Sequence, residues 1–484
     1  MKEIENKKYL LVEFSMIALM LICLLPVISK PNIWFDESFT IDLVREPVSR
    51  IFYITSLDVH PPLYYLVTKL FITVFGDSIF VFHLPALFFY LGLLIISALF
   101  FNRYFSAQLS LLVTAALCST PNMIRYALQL RSYSLSMLLV TGSFYMTYIM
   151  MKKYSKETAW KFKFLWKYWV ALAVINVAAA YTHSFSGLAA VSISFYLLGY
   201  MLYKERHLRV MLPWLVYCII MFVLYLPWFP TFLKQIQSIE GNFWIGPITE
   251  AAIHAYPDML FFMPSNTLRK LLIVTFLVGC FLILRYYSKN TQHCWVAGCF
   301  VVFLFWLSFG VGYSLCRTPI LTDRYLVIFL PLLWVPPLYG IAISKKEYLI
   351  AGAAFVLVLC FVDNYEEQYD NYATSYNIPL LNTIETYAQP DDIFFHFYYE
   401  DLFIYEAYFP EYDHYVLNSA LENRAPYYIA LTHGHTIEGL ESLEGFSANI
   451  WCSNGDWISS FEQLGYEIEP FDLGSAYVYR LYKD

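Results

Sequence analysis

A polytopic α-helical membrane protein with about eleven transmembrane spans, followed by a small soluble α/β domain, is the fold this sequence predicts. Three observations predict it. Hydrophobic residues make up 59% of the 484 and charged residues only 14%, against roughly 25% charged in a soluble domain. Aromatic residues reach 20%, which suits rings settling at many membrane–water interfaces. Apolar runs of about twenty residues, the length that crosses a bilayer, recur up to residue 362 and then stop.

The runs fall at approximately 10–29, 79–101, 107–122, 133–151, 168–181, 187–203, 210–229, 271–287, 294–313, 325–343 and 348–362. The third and fifth are short or interrupted. The first has a basic start but no small-x-small cleavage site after it, so it reads as a retained span and not a signal peptide. The nine cysteines lie mostly in apolar runs and form no CxxC pair. They read as small core residues, not as a metal site or disulfide framework.

Basic residues set the expected orientation. With the N-terminus in the cytoplasm, 17 of the 31 Lys and Arg fall in short inner loops, including Lys2, Lys7, Lys8, Arg103, the run from Lys152 to Lys167, and Lys345 and Lys346. The bias returns on every second loop, so topology explains it better than solvation of a surface does. An odd number of spans then puts the C-terminal part outside. Residues 1–363 are the expected membrane domain and 364–484 an extracytoplasmic one. The tail holds three basic residues, Arg424, Arg480 and Lys483, against 21 acidic ones. Candidate strands at 393–397, 427–431 and 476–481, with helical patterns at 401–408 and 458–464, make it a small α/β domain.

Two outer loops are long enough to carry chemistry. One covers 30–77. Thr40, Ile41, Leu43 and Val44 stand at helical spacing after Asp36, and Leu63, Leu66, Val67, Leu70 and Phe71 do so after Pro62. Both stretches read as helices along the membrane surface, the second opened by its prolines. The other loop covers 230–269 and includes Trp244.

Carboxylates beside a membrane span are costly near lipid and invite a functional reading. Asp36 and Glu37 follow the first span, and Asp58, His60, Tyr64 and Lys69 follow within the same loop. Other junctions predicted on this side supply Arg125 and Arg131 with Tyr133, then His183, then Arg324 with Tyr325. Carboxylates faced by several arginines suit a phosphate ester and a nucleophile that needs a base. A polyprenyl-phosphate sugar fits this pattern. Its phosphate leaves without a general acid, cations hold the developing charge, and one carboxylate takes the acceptor proton. Direct displacement inverts the anomeric centre, so the carboxylate pair of a glycosidase is not required.

These stretches resemble the GT-C glycosyltransferases of the family 39 type, the group of dolichyl-phosphate-mannose protein mannosyltransferases and their bacterial relatives. The resemblance rests on Asp36-Glu37, Asp58, His60-Pro61-Pro62-Leu63-Tyr64-Tyr65, Phe75-Gly76-Asp77-Ser78, Arg131-Ser132-Tyr133-Ser134-Leu135, Tyr181-Thr182-His183, and Asp323-Arg324-Tyr325 with Pro331. They fall in order over roughly the first 340 residues, and the His-Pro-Pro-Leu-Tyr-Tyr block is the most specific. The resemblance implies a GT-C fold, an outer-face site, a lipid-phosphate sugar donor and Asp36 as the catalytic Asp. Closeness to bacterial members implies undecaprenyl phosphate as carrier. No stretch resembles the MIR repeats of the eukaryotic enzymes, which weakens protein against a glycan or glycolipid as acceptor.

Each residue also has a plainer role open to it. Asp36 could cap a helix, Glu37 could serve a helix dipole, and Asp58 could cap or ligate. His60 could orient its loop, and His183 could be a hydrogen-bonded core histidine. Arg125, Arg131, Arg324 and Lys69 could be surface or snorkelling cations. Trp34 and Trp244 could line a sugar pocket or simply pack. A divalent cation at Asp36, Glu37 and Asp58 is a further expectation, and nothing points to nucleic acid. Two rival functions remain: a transporter or lipid flippase, and a non-catalytic receptor or scaffold. The first usually shows midplane charges and repeated halves, and neither is evident here.

Overall fold

The computed structural model describes residues 2–30, 32–153, 162–240, 245–375, 377–422, 424–443, 446, 448–453, 455–474 and 476–483. They form two compact units. One comprises Met1–Pro26, Val59–Tyr64 and His83–Gln368, and the other Val27–Asp58, Tyr65–Phe82 and Tyr369–Asp484. Trp244, Lys156 and Lys161 lie outside the described residues.

The first unit is a helical bundle of a multi-pass membrane protein. Among the described residues nine helices are long and apolar enough to cross a membrane, or ten if Ala107–Ser119 and Pro121–Leu128, bent by 59°, make one broken span. That bend falls on the interrupted third run. Pro121 lacks the amide that would continue the ladder, so the chain turns there and a new helix begins. The fifth expected span lies in the helix Phe162–Thr182, which is not among the nine.

Small residues let two of these helices meet backbone to backbone. Gly279 on Asn266–Arg285 packs against Pro337, and Gly340 on Val335–Ile343 packs against the Gly279 carbonyl. A Cβ at either position would overlap main-chain atoms that cannot rotate away. Some buried polar groups pair with one another within the bundle, which offsets the cost of taking them out of water. Asn176 accepts from Ser143 at 2.6 Å and donates to the Tyr217 hydroxyl at 2.5 Å. Glu13, a fully buried carboxylate of the first span, accepts from Asn102 at 2.6 Å.

The second unit centres on a six-stranded sheet in the order β3-β2-β1-β4-β6-β5. The strands are β1 (Ile393–His396), β2 (Asp413–Leu417), β3 (His435–Ile437), β4 (Ile450–Cys452), β5 (Glu467–Asp472) and β6 (Tyr477–Tyr482). β1 runs parallel to both neighbours, and β6 pairs antiparallel with β4 and β5. All four residues of β1 are buried, as a central strand covered on both faces requires. Phe394 packs with Ile384, Tyr405 and Phe409 on one face, while Phe395 packs with Leu443 and Phe461 on the other.

The stretch 427–431, expected as a strand, is instead part of the helix Pro426–Leu431. Its apolar and aromatic run matches a strand, but Pro426 presets the backbone angle of a first helical turn and has no ladder amide to offer. The expected loop helices are present as Phe35–Arg45 and Leu63–Phe75, with Val48–Leu57 between them. They pack in this unit: Phe35 meets Tyr399 at 5.3 Å and Phe403 at 5.9 Å, and Phe39 meets Tyr427 at 5.7 Å.

A buried acid pair lies where Phe35–Arg45 meets Tyr399–Tyr408. Asp42 and Glu406 are 3% and 5% exposed. Burial pushes Glu406 from 4.5 up to about 8, with the backbone amides of His433 and Gly434 pulling it part of the way back. Burial, then the Glu406 charge, pushes Asp42 well above its usual range, against the pull of Arg45; Asp77 and Glu46 add to the rise. His433 contacts Glu46 at 3.4 Å. A carboxyl whose folded value is raised contributes stability that is complete below about 4.5 and is lost as pH climbs towards 8. Raising pH from 5 to 8.5 is therefore expected to loosen the helix Tyr399–Tyr408 by on the order of a few kcal/mol. Hydrogen exchange should register faster opening there at pH 8.5, and Glu406→Gln should flatten the dependence.

Candidate functional site

The sequence-predicted residues divide between the two units. The second unit holds the acidic group. Trp34 precedes the helix Phe35–Arg45 as its cap, with extended backbone that lets the helix start at Phe35. Asp36 and Glu37 therefore occupy the first turn, where the helix macrodipole favours negative charge. Glu37 is buried and its carboxylate accepts from the Trp34 backbone amide at 3.4 Å, the glutamate half of a capping box. Trp34, not Asp36, stands at the cap position, and Asp36 is half-buried where Glu37 is buried.

Asp58 ends the helix Val48–Leu57 as its C-cap and is 3% exposed. Asp36 and Asp58 both lie within electrostatic reach of the Tyr428 hydroxyl, so the fold brings them to one place. Lys69 donates to the Arg45 carbonyl at 3.0 Å, and Arg45 grips Asp77 at 2.9 Å. These cations secure the C-terminal end of the carboxylate-bearing helix. Among the described residues, no group of three or more His, Cys, Asp or Glu is arranged to hold a metal ion, so Asp36, Glu37 and Asp58 do not form a cation cage.

The first unit holds the aromatic and cationic group. His183 breaks the chain between Phe162–Thr182 and Ser184–Glu205, and its Nδ1 accepts from the Phe185 amide at 3.2 Å. That bond places the ring proton on Nε2. Burial, then the neighbouring His60 and Arg131, hold His183 well below the usual imidazole range. Its ring lies 5.6 Å from His60, 6.0 Å from Tyr133 and 5.0 Å from Tyr325. Arg131 is 7% exposed. Tyr133 contacts Tyr126 at 4.8 Å, and Arg125 and Arg324 lie within electrostatic reach of the Tyr126 hydroxyl. Tyr64 is buried at the start of Leu63–Phe75. Three distant sequence stretches, around His60, Arg131–Tyr133 and Tyr325, thus converge on His183.

An apolar cavity of about 520 Å³ opens beside this cluster. His60, His183 and Tyr325 line it together with hydrocarbon walls from Leu188, Met221 and Phe222. One cavity therefore combines a long greasy surface with a few convergent polar groups, the usual make-up of a lipid or small-molecule site.

Sequence reading missed three tyrosines of the second unit. Tyr399, Tyr427 and Tyr428 stand beside Asp36 and Asp58. The signal that could have found them was Pro426, which marks a helix start and takes the tyrosine pair out of a strand.

No family model matches the chain, and no curated protein matches it in sequence. By fold it is similar to ArnT from Cupriavidus metallidurans in two crystal structures. The TM-score is 0.63 for ArnT in the apo state and 0.66 for ArnT bound to undecaprenyl phosphate. Each is 12% identical, and the match covers 97% of both chains. The chain has the GT-C fold with a small C-terminal sheet domain.

Proposed function

We propose that this chain is an inverting membrane glycosyltransferase that moves a sugar from a polyprenyl-phosphate donor to an acceptor hydroxyl on the extracytoplasmic face. The observation that carries this reading is the 520 Å³ apolar cavity lined in part by His60, His183 and Tyr325, with Arg131 near His183. A polyprenyl tail suits the walls, and a phosphate suits Arg131 close to the lining residue His183. The full-length fold similarity to a structure bound to undecaprenyl phosphate supports the same carrier. The ordered motifs support a family 39 type enzyme of the bacterial branch. The basic loops support a cytoplasmic N-terminus and an extracytoplasmic C-terminal domain.

In this mechanism Asp36 takes the proton of the acceptor hydroxyl as its oxygen attacks the anomeric carbon. The carbon–phosphate oxygen bond breaks on the opposite side, and the polyprenyl phosphate leaves with the bonding pair. Arg131 and Arg324 hold the charge that grows on the phosphate. Glu37 fixes the first turn that carries Asp36, Asp58 adds a second carboxylate, and Lys69 anchors the helix from its far end. His183, neutral and donating from Nε2, can hydrogen-bond to the phosphate or sugar without changing charge.

The test is sugar transfer in proteoliposomes from undecaprenyl-phosphate hexoses and pentoses, with mass spectrometry of surface glycans and glycolipids in cells with and without the protein. Product with inverted configuration is expected. Movement of labelled lipid across the bilayer with no covalent transfer would replace this reading with that of a flippase. Arg131→Ala should raise the donor KM by roughly ten- to a hundredfold, the loss of one or two charge-assisted bonds. Arg131→Lys should recover only part, because lysine lacks the planar fork. Donor titration at saturating acceptor measures both.

A further inference from the structure

We propose that Tyr399, Tyr427 and Tyr428 form the acceptor subsite beside Asp36 and Asp58, with Arg424 as a positioning residue, and that this subsite takes an uncharged sugar ring. The inference rests on the transferase reading and adds the chemical class of acceptor.

Three observations carry it. The first is placement. The Tyr399 and Tyr428 rings lie 5.3 Å apart, each lies 5.3 Å from the ring of Phe35, the neighbour of Asp36, and Tyr427 lies 4.3 Å from Tyr428. Asp58 is within electrostatic reach of Tyr427 and Tyr428. The three rings and two carboxylates therefore share one neighbourhood within the second unit. All three rings are half-buried, so each keeps part of its surface open.

The second is the choice of residue. Phe35, Phe39 and Phe403 already supply the aromatic packing between the helices here. Packing alone would be served by more phenylalanine, since a phenol beside two carboxylates adds a polar group that must be satisfied. Tyr427 donates to the Tyr428 oxygen, and their rings lie 4.3 Å apart. Burial and the Asp58 charge push the Tyr427 phenol far above its usual range, so it stays a donor at every working pH. Ring faces for the C–H side of a sugar and hydroxyls for its edge are thus supplied together.

The third is charge. Asp36, Asp58 and Glu400, which accepts from Tyr399, surround the rings with negative charge. Three carboxylates outnumber the Arg424 guanidinium at these rings, so an anionic sugar would be disfavoured. Arg424 lies 4.1 Å over the Tyr399 ring, and its Nε donates to the Ala420 carbonyl at 3.1 Å. This holds the Tyr399 ring in place.

Saturation-transfer NMR on the detergent-solubilised full chain tests the subsite without turnover. The probes are methyl β-glucopyranoside, N-acetylglucosamine and methyl β-glucuronide. The neutral sugars should receive saturation through their ring C–H protons, and the glucuronide should not. Tyr427→Leu and Tyr399→Leu should each reduce the signal at least fivefold. Tyr427→Phe retains the ring and its packing. It should weaken affinity several-fold with saturation still on the C–H face, so a folding defect cannot pass for support. Arg424→Gln should lower the signal from Tyr399-facing protons, and Arg424→Lys should restore part of it. No saturation of any neutral sugar, equal saturation of the glucuronide, or no change in the tyrosine variants would overturn the proposal. Sugar binding without transfer in any assay would leave the subsite standing and remove the transferase reading. Transfer to a lipid or peptide with no sugar binding would do the reverse.

Discussion

Asp36→Asn is expected to cut sugar transfer by roughly a hundred- to ten-thousand-fold, the range for loss of a general base. Asparagine has the same shape and remains in the first turn of Phe35–Arg45, so the helix should be kept. Its amide cannot take the acceptor proton. Donor affinity should stay within about threefold, because the proposed phosphate holders Arg131 and Arg324 are untouched. Single-turnover transfer in proteoliposomes separates the two quantities. Near-normal turnover in Asp36→Asn would remove the base assignment. Glu37→Gln should behave differently. An amide oxygen can still accept from the Trp34 backbone, so a modest loss of stability, about 1 kcal/mol or less, is expected.

Gly340→Ala is expected to destabilise the membrane unit by roughly 3 kcal/mol or more, beyond ordinary overpacking. The added methyl would meet the Gly279 carbonyl and the Ile283 amide. Both belong to the main chain, so no side-chain rotation relieves the clash, and the helices Asn266–Arg285 and Val335–Ile343 must separate. Gly279→Ala should do the same through the Pro337 backbone. Gly352→Ala is the control, since nothing lies within 4 Å of its added methyl. Thermal unfolding followed by size-exclusion in detergent measures all three. Equal melting of Gly340→Ala and Gly352→Ala would mean that the close approach is not needed.

Much of the fold was legible because lipid imposes a simple rule. A backbone in hydrocarbon must satisfy its own hydrogen bonds, so length and apolarity alone mark a helix. The broken third span was legible for the same reason: Pro121 interrupts the ladder wherever it stands. The tail was less legible. β2 and β3 are short, and His414 at a buried position of β2 looks polar in sequence. Its Nε2 bonds the Phe409 carbonyl at 2.9 Å and its Nδ1 meets His396 at 3.0 Å, which makes the burial acceptable. No local pattern announces such partners.

The candidate site divides in the same way. Asp36, Asp58, His60, Arg131 and His183 were picked out because polar residues at the ends of apolar runs are conspicuous. Their partners were not. Tyr428 is about 390 residues from Asp36 in the chain, and aromatic residues are too common here to stand out. Glu406 was one of 21 acidic residues in the tail, yet burial in the folded unit pushes its carboxyl up to about 8.

By itself, then, the sequence determined a multi-pass helical protein with an acidic tail domain, and it singled out the carboxylates and arginines that the proposed function uses. These follow from composition and period, which act residue by residue along the chain. Only the tertiary structure decided that His183 gathers His60, Tyr133 and Tyr325 beside an apolar cavity, that Lys69 anchors a helix, and that tail tyrosines pack around the helix that carries Asp36. Those outcomes depend on side chains far apart in sequence reaching the same few ångströms, and packing alone sets that.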